Sequence, residues 1–199
     1  MVDEPSALSE GGVFNVAGVA GFWGWGGLWS PLVSGEQTGG AYSVLEQLMP
    51  AGTGPPPHVH EQTDEIFYIL EGQVRVQIRD ELHLGSAGDL VRVARGTPHG
   101  FAVGSDGARF LNLYVPAALD LMIAMLSQPA TATMLPPAGA EKPPSEKQTQ
   151  AFLERVRDLS TQSWSGQTDL LTEYPPEEVS AVPAVLRRDG CERARPPRL

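Results

Sequence analysis

The chain has 199 residues, enough for one domain with a substantial core plus additional tail, and its 22 glycines and 18 prolines against 7% aromatic residues favour short strands over long helices. A formal charge of −10, with Lys and Arg sparse except near the end, removes the attraction that drives phosphate-backbone binding, so nucleic acid is excluded as a partner. No apolar run approaches the roughly 20 residues needed to cross a bilayer, and the start Met1-Val2-Asp3-Glu4-Pro5 lacks a secretory layout, so the expected location is the cytoplasm.

Residues 1–12 are polar and patternless and are read as a flexible leader. Three of the four tryptophans fall in Phe22-Trp23-Gly24-Trp25-Gly26-Gly27-Leu28-Trp29. No Lys-Ser/Thr follows these glycines, so they are no phosphate cradle. The stretch is expected to close a barrel or enter a dimer interface, in preference to stacking on an aromatic substrate. The first strand is predicted from Tyr42 to Met49, where Pro50 and Gly52 stop it. Glu65–Leu70 and Gln73–Asp80 are read as a hairpin pair joined by Glu71-Gly72, because glycine takes the positive φ a tight turn needs. Val74, Val76 and Ile78 alternate with polar residues, giving one buried and one wet face. His83 falls in a predicted hairpin loop and is read as solvated.

Strands are further predicted over Leu90–Ala94, His99–Val103 and Arg109–Val115, so turns recur about every ten residues, the rhythm of a sandwich or barrel. The fold class is therefore all-β. After Pro116 the spacing of Leu119, Met122, Ile123 and Leu126 predicts a helix packed as core filler. Residues 129–144 form a Pro/Ala/Thr-rich linker, and Ser145 with Gln148 has the spacing of a capping box opening a helix through Leu159. Its Phe152, Leu153, Val156 and Leu159 suit capping the barrel mouth or packing on a second subunit. Four segments result: a leader over 1–12, a barrel over 13–116, a helical extension over 117–160 and a tail over 161–199 expected to be partly disordered. Cys191, the single cysteine, lies in that tail as a solvated bystander without a disulfide partner.

Three of the four histidines cluster in two short segments, Pro55–Glu65 and Arg95–Gly100. His58 and His60 are two apart, so on an extended strand both imidazoles share a face, with backbone positions roughly 6.6 Å apart. Glu65 follows His60 by an odd interval, so the chain must bend at Gln62-Thr63-Asp64 for the carboxylate to turn inward; Phe67 and Ile69 then share its inward face. His99 follows a Gly-Thr-Pro turn and can head a strand facing the same interior. Three imidazoles and a carboxylate suit one Fe, Mn, Ni, Cu or Zn ion with positions left for water or substrate, and they disfavour Mg and Ca. Phe67, Ile69 and Phe101 are the candidate substrate-contacting residues.

These residues resemble the cupin superfamily, whose jelly-roll barrel binds a metal through two motifs. The first reads here Gly52, His58, His60, Glu65 and Gly72; the second reads Gly88, Ala94, Gly96, His99 and Val103. Ala94 stands where the family has proline and Val103 where it has asparagine, and neither position supplies a metal bond. The text from Ser34 to Ala41 and from Gly54 to His60 is similar to the small bacterial cupins described as quercetin 2,3-dioxygenase-like. That resemblance implies a dioxygenase in which a flavonol or related enol binds the metal and loses its proton to Glu65, before reaction with dioxygen and ring cleavage. The competing readings are metal-dependent isomerisation, cyclisation or lyase chemistry on a small carbonyl compound, and a non-catalytic ligand-binding cupin. A homodimer is expected, because small barrels often hide edge strands by pairing.

Overall fold

A computed structural model describes Val16, residues 19–55, 57–160 and 172–173, with 156–160 and 172–173 described as backbone alone. The leader over 1–12, most of the 161–199 tail and Cys191 lie outside the described residues.

The strands are β1 (Phe22–Gly24), β2 (Gly27–Val33), β3 (Ser43–Met49), β4 (His58–Val59), β5 (Asp64–Ile78), β6 (Glu81–Ser86), β7 (Leu90–Val93), β8 (His99–Val115), β9 (Gln128–Pro129) and β10 (Thr172–Glu173). Two helices, α1 (Asp120–Leu126) and α2 (Glu146–Ser160), follow the barrel strands. Every ladder among the described residues is antiparallel, and the fold is a jelly roll.

The architecture turns on β5 and β8, which run beside each other from Asp64↔Val115 to Ile78↔His99. Their outer partners change along the way. The first half of β5 pairs with β7 and the second half with β6, while the start of β8 meets β4 and its end meets β3. The ladder is irregular between Gly72 and Val74, which creases the sheet into two arms. The arms close on a common core: the ring centroids of Phe67 on one arm and Phe101 on the other are 5.3 Å apart, and Phe101 lies 5.7 Å from Phe110. Leu45, Phe67, Ile69, Val74, Val76 and Phe110 are all fully buried there, each removing apolar surface from water at a gain of about 1.5–3 kcal/mol for a side chain of this size.

This corrects the predicted hairpin between Glu65–Leu70 and Gln73–Asp80, because both segments belong to the single strand β5. Gly72 does take positive φ (78°), yet it serves the crease: a Cβ there would sit 2.1 Å from the Gly107 carbonyl oxygen. The hairpin lies one step later, where β5 turns into β6 through Arg79 at φ 52°. His83 consequently lies within β6 instead of in a loop, exposed and 3.6 Å from Glu81. His99–Val103 and Arg109–Val115 likewise form one strand, β8.

The alternation in β3 buries Ser43, Leu45, Gln47 and Met49 and leaves the residues between them half-buried. The helix predicted after Pro116 is α1; Leu119 is its N-cap, and the buried Asp120 carboxylate accepts the Gly35 N–H at 2.9 Å. The capping box is present at α2, where Ser145 N–H donates to Gln148 Oε1 (3.0 Å) and Gln148 N–H donates to Ser145 Oγ (3.3 Å). Phe152 of α2 is buried in the core and Leu153 is exposed, while the Val156 and Leu159 side chains lie outside the described residues. Among the described residues, no helix is long and apolar enough to cross a membrane.

Candidate metal centre

Three strands and one loop position bring the donors together. His58 sits in β4 and pairs with His99, the first residue of β8. His60 is held just beyond β4, where its carbonyl accepts the Gly96 N–H at 2.8 Å, so the loop before His99 is hydrogen-bonded to the loop after His58. The chain bends at Glu61-Gln62 and re-enters the sheet at Asp64. Asp64 then accepts the Arg95 backbone N–H (3.0 Å) and side-chain Nε–H (2.9 Å) and pairs with Arg92. These bonds, the backbone N–H of Arg95 first, hold the Asp64 pKa down to about 2 despite some desolvation.

His58, His60, Glu65 and His99 are all buried, and one ligand atom from each lies within 4.8 Å of the others. Ring centroids of the imidazoles are 4.3 Å (His58–His99), 4.9 Å (His58–His60) and 5.4 Å (His60–His99) apart. Glu65 Oε2 lies 2.7 Å from His99 Nε2 and 3.4 Å from His60 Nε2. Its other oxygen, Oε1, accepts from Asn112 Nδ2 at 2.7 Å and from the Tyr114 hydroxyl at 2.9 Å. Burial pushes the Glu65 pKa up, but the hydrogen bonds and charge of His60 and His99 outweigh it and hold the carboxyl well below the usual range. Tyr114 moves the opposite way: burial, then the adjacent Glu65 charge and hydrogen bond, raise its phenol well above its ordinary value.

The donor set fits a transition metal. His99 Nδ1 lies 2.9 Å from the Thr97 carbonyl oxygen while Nε2 lies 2.7 Å from a carboxylate oxygen, so both ring nitrogens face acceptors. In the state that can ligate a metal, His99 is a neutral imidazole with one N–H to give, and the Thr97 carbonyl takes it. The Nε2 lone pair and the carboxylate oxygen then face each other, and a cation between them satisfies both. His58, His60, Glu65 and His99 would hold that ion, one of Fe, Mn, Ni, Cu or Zn.

A cavity of about 340 Å³ opens onto three of these donors, His58, His60 and Glu65. Its wall includes Trp25, Trp29, Phe101, Leu119, Met122 and Tyr114, and its polar residues are His58, His60, Glu65 and Tyr114 itself. Of the three predicted substrate contacts Phe101 is on this wall; Phe67 and Ile69 are not, because on β5 they lie deeper than Glu65, fully buried among core residues. The tryptophan-rich stretch is a hairpin of β1 and β2 with Trp25 (φ 50°) and Gly26 (φ 80°) at its turn. Trp23 and Trp29 are buried as expected for barrel closure, but Trp25 is 47% exposed and faces the cavity, with its ring 6.0 Å from Trp29 at 75°. The linker secures this hairpin, since Glu141 accepts the Gly26 N–H at 3.0 Å and Trp23 Nε1–H donates to the Met134 carbonyl at 2.8 Å.

Neither Asn112 nor Tyr114 is among the candidate site residues that the sequence offers. The available signal is the β8 alternation: Phe110, Asn112 and Tyr114 share the inward face, and an amide between two aromatic residues on a buried face needs a polar partner.

The antiparallel jelly roll gathers three imidazoles and a carboxylate from two chain segments, and residues 44–114 match the cupin domain family. The chain is similar to quercetin 2,3-dioxygenase of Bacillus subtilis (strain 168), 26% identical over 171 residues that cover 81% of this chain and 48% of that protein. The chain thus spans about half the length of the curated relative it matches. Among solved structures it is similar to a predicted oxalate decarboxylase from Thermotoga maritima (22% identity, TM-score 0.49, covering 53% of this chain and 99% of that one). A second is KdgF from Halomonas sp. (23% identity, TM-score 0.44, covering 49% and 84%).

Proposed function

We propose that the protein is a metal-dependent oxygenase of the dioxygenase type, acting on an aromatic or enolic small molecule such as a flavonol. The observation that carries this reading is the cavity: aromatic and aliphatic side chains form its wall, no Lys or Arg lines it among the described residues, and it reaches His58, His60 and Glu65 of the donor cluster. Its volume, about 340 Å³, is at the small end of the range for drug-sized ligands. A small dicarboxylate would meet no cationic side chain on that wall, whereas a planar neutral ring system meets Trp25, Trp29 and Phe101. The similarity to a quercetin 2,3-dioxygenase supports the same substrate class.

When bound, a divalent transition metal supplies Lewis acidity, which favours loss of the proton from an enol oxygen. Glu65 serves as ligand and as proton acceptor in turn, both through Oε2, since Oε1 is engaged by Asn112 and Tyr114. The apolar wall excludes water from the deprotonated substrate and orients its ring plane. We take the protein to work in the cytoplasm as a homodimer, a reading supported by Tyr68 and Leu90, which pair across β5 and β7 and are both exposed on the outer face. Size-exclusion chromatography with light scattering at the monomer mass sinks the dimer.

The deciding experiment is an oxygen-electrode assay with metal-loaded protein and a flavonol. We expect one O₂ consumed per flavonol cleaved. Conversion of a carbonyl substrate without oxygen uptake would replace the reading with isomerase or lyase chemistry, and saturable binding without turnover would replace it with a binding protein.

A further inference from the structure

The two oxygens of the Glu65 carboxylate have different surroundings. Oε2 faces the imidazoles, 2.7 Å from His99 Nε2 and 3.4 Å from His60 Nε2. Oε1 is turned to Asn112 Nδ2 (2.7 Å) and the Tyr114 hydroxyl (2.9 Å). The donor inventory fixes the direction of each bond. An amide NH₂ has two protons, and Asn112 gives one to Glu65 Oε1 and the other to the Tyr114 oxygen at 2.8 Å. With that lone pair occupied, the Tyr114 proton is directed at Oε1 as well.

Asn112 gains little for stability from this arrangement. Turned over, its Oδ1 would face an anionic oxygen; as it stands, Oδ1 is buried with no hydrogen-bond partner among the described residues. An apolar side chain of similar size would avoid that cost, since Phe110, Phe67 and Leu45, all fully buried, are among its neighbours in the ladder. What the amide does accomplish is to occupy Oε1.

We propose that Asn112 and Tyr114 are positioning residues that engage Glu65 Oε1 and restrict the carboxylate to presenting one oxygen, Oε2, to the ion. A carboxylate beside a cation binds through one oxygen or both, and the choice changes coordination number and ligand field. Here the clamp makes that choice before the ion arrives. The inference needs the metal site alone and is independent of the oxygenase reading, so absence of oxygen uptake leaves it standing.

The test is titration of metal-free protein with cobalt(II), following affinity by calorimetry and the ligand field by visible absorption. Tyr114→Phe keeps the ring and removes only the hydroxyl; Asn112→Leu removes the amide and the orphaned acceptor. Each is expected to weaken cobalt(II) binding by about tenfold or more and to shift the visible bands. In a Glu65→Ala background, adding Tyr114→Phe should change neither, because no carboxylate remains to hold. Parent-like affinity and spectrum in Tyr114→Phe overturn the proposal, as does an equal loss in the Glu65→Ala background, which would assign Tyr114 to packing. Tyr114→Phe decides the question alone if Asn112→Leu does not fold.

Discussion

The two sides of the metal centre are built differently. The carboxylate side is sheet: Glu65 pairs with Val93 on one flank and Tyr114 on the other, with Phe67 and Ile69 sealed behind it. The histidine side is made of ends and turns. His58 occupies a two-residue strand, His60 lies beyond it, and His99 opens β8 after a turn held by the Gly96–His60 hydrogen bond. His99 also has ladder partners on both flanks, His58 and Ile78, so the difference rests on His58, in a two-residue strand, and His60, outside any strand; few backbone bonds fix these two, whereas Glu65 belongs to the 15-residue β5 and is held more firmly by the fold.

The largest expected effect tests the sheet side. Phe67→Ala removes a fully buried ring in contact with Phe101 and Phe110, and denaturant unfolding should show a loss of about 3–5 kcal/mol. Metal removal tests the other side. Relative to protein at a free metal concentration of 100 Kd, the chelated protein should lose about 2.7 kcal/mol, and hydrogen exchange should accelerate in the segments around His58–His60 and Gly96–His99 while β5 and the end of β8 stay protected. Uniform acceleration would erase the contrast between the sides.

Trp25→Ala leaves both sides intact and opens the cavity mouth. Stability and metal content should match the parent, and the KM for an aromatic substrate should rise about five- to tenfold, the equivalent of about 1–1.4 kcal/mol for one lost ring contact. Unchanged KM would remove Trp25 from the binding surface. The smallest effect concerns Asp64, which links the two sides through Arg92 and Arg95. Its folded pKa of about 2 lies below the ordinary value of 3.8, so its charge stabilises the fold above about pH 4, and that contribution disappears as pH falls through about 2. The stability difference between parent and Asp64→Asn, read from denaturation by circular dichroism, should therefore narrow across that interval.

The donors were legible because imidazoles two apart, a bend and a Gly-Thr-Pro turn are local features, and β3, β7, α1 and the capping box of α2 carry local signals of the same kind. The course of β5 was not. Gly72 at positive φ is compatible with a hairpin or a crease, and what decides is the Gly107 carbonyl, 35 positions further along the chain and 2.1 Å from where a Cβ would lie. The alternation of Val74, Val76 and Ile78 was read correctly as a half-buried strand, while its partners depend on register that alternation cannot specify. Phe67 and Ile69 illustrate the same limit in depth: inward direction follows from parity, but whether an inward residue meets a cavity or a sealed core depends on the opposing arm. Asn112 and Tyr114 belong to the site through Glu65, 47 and 49 positions away in sequence.

Glu141 reaches back across the chain to hold the turn that carries Trp25, and it does so from outside the barrel. The placing of Trp25 on the cavity wall is thereby tied to a connecting segment that follows the barrel strands in the chain. Substitutions there can alter which molecules reach the cavity while the buried donor set stays the same, so descendants of this protein have a route to new ligands that leaves His58, His60, Glu65 and His99 in place.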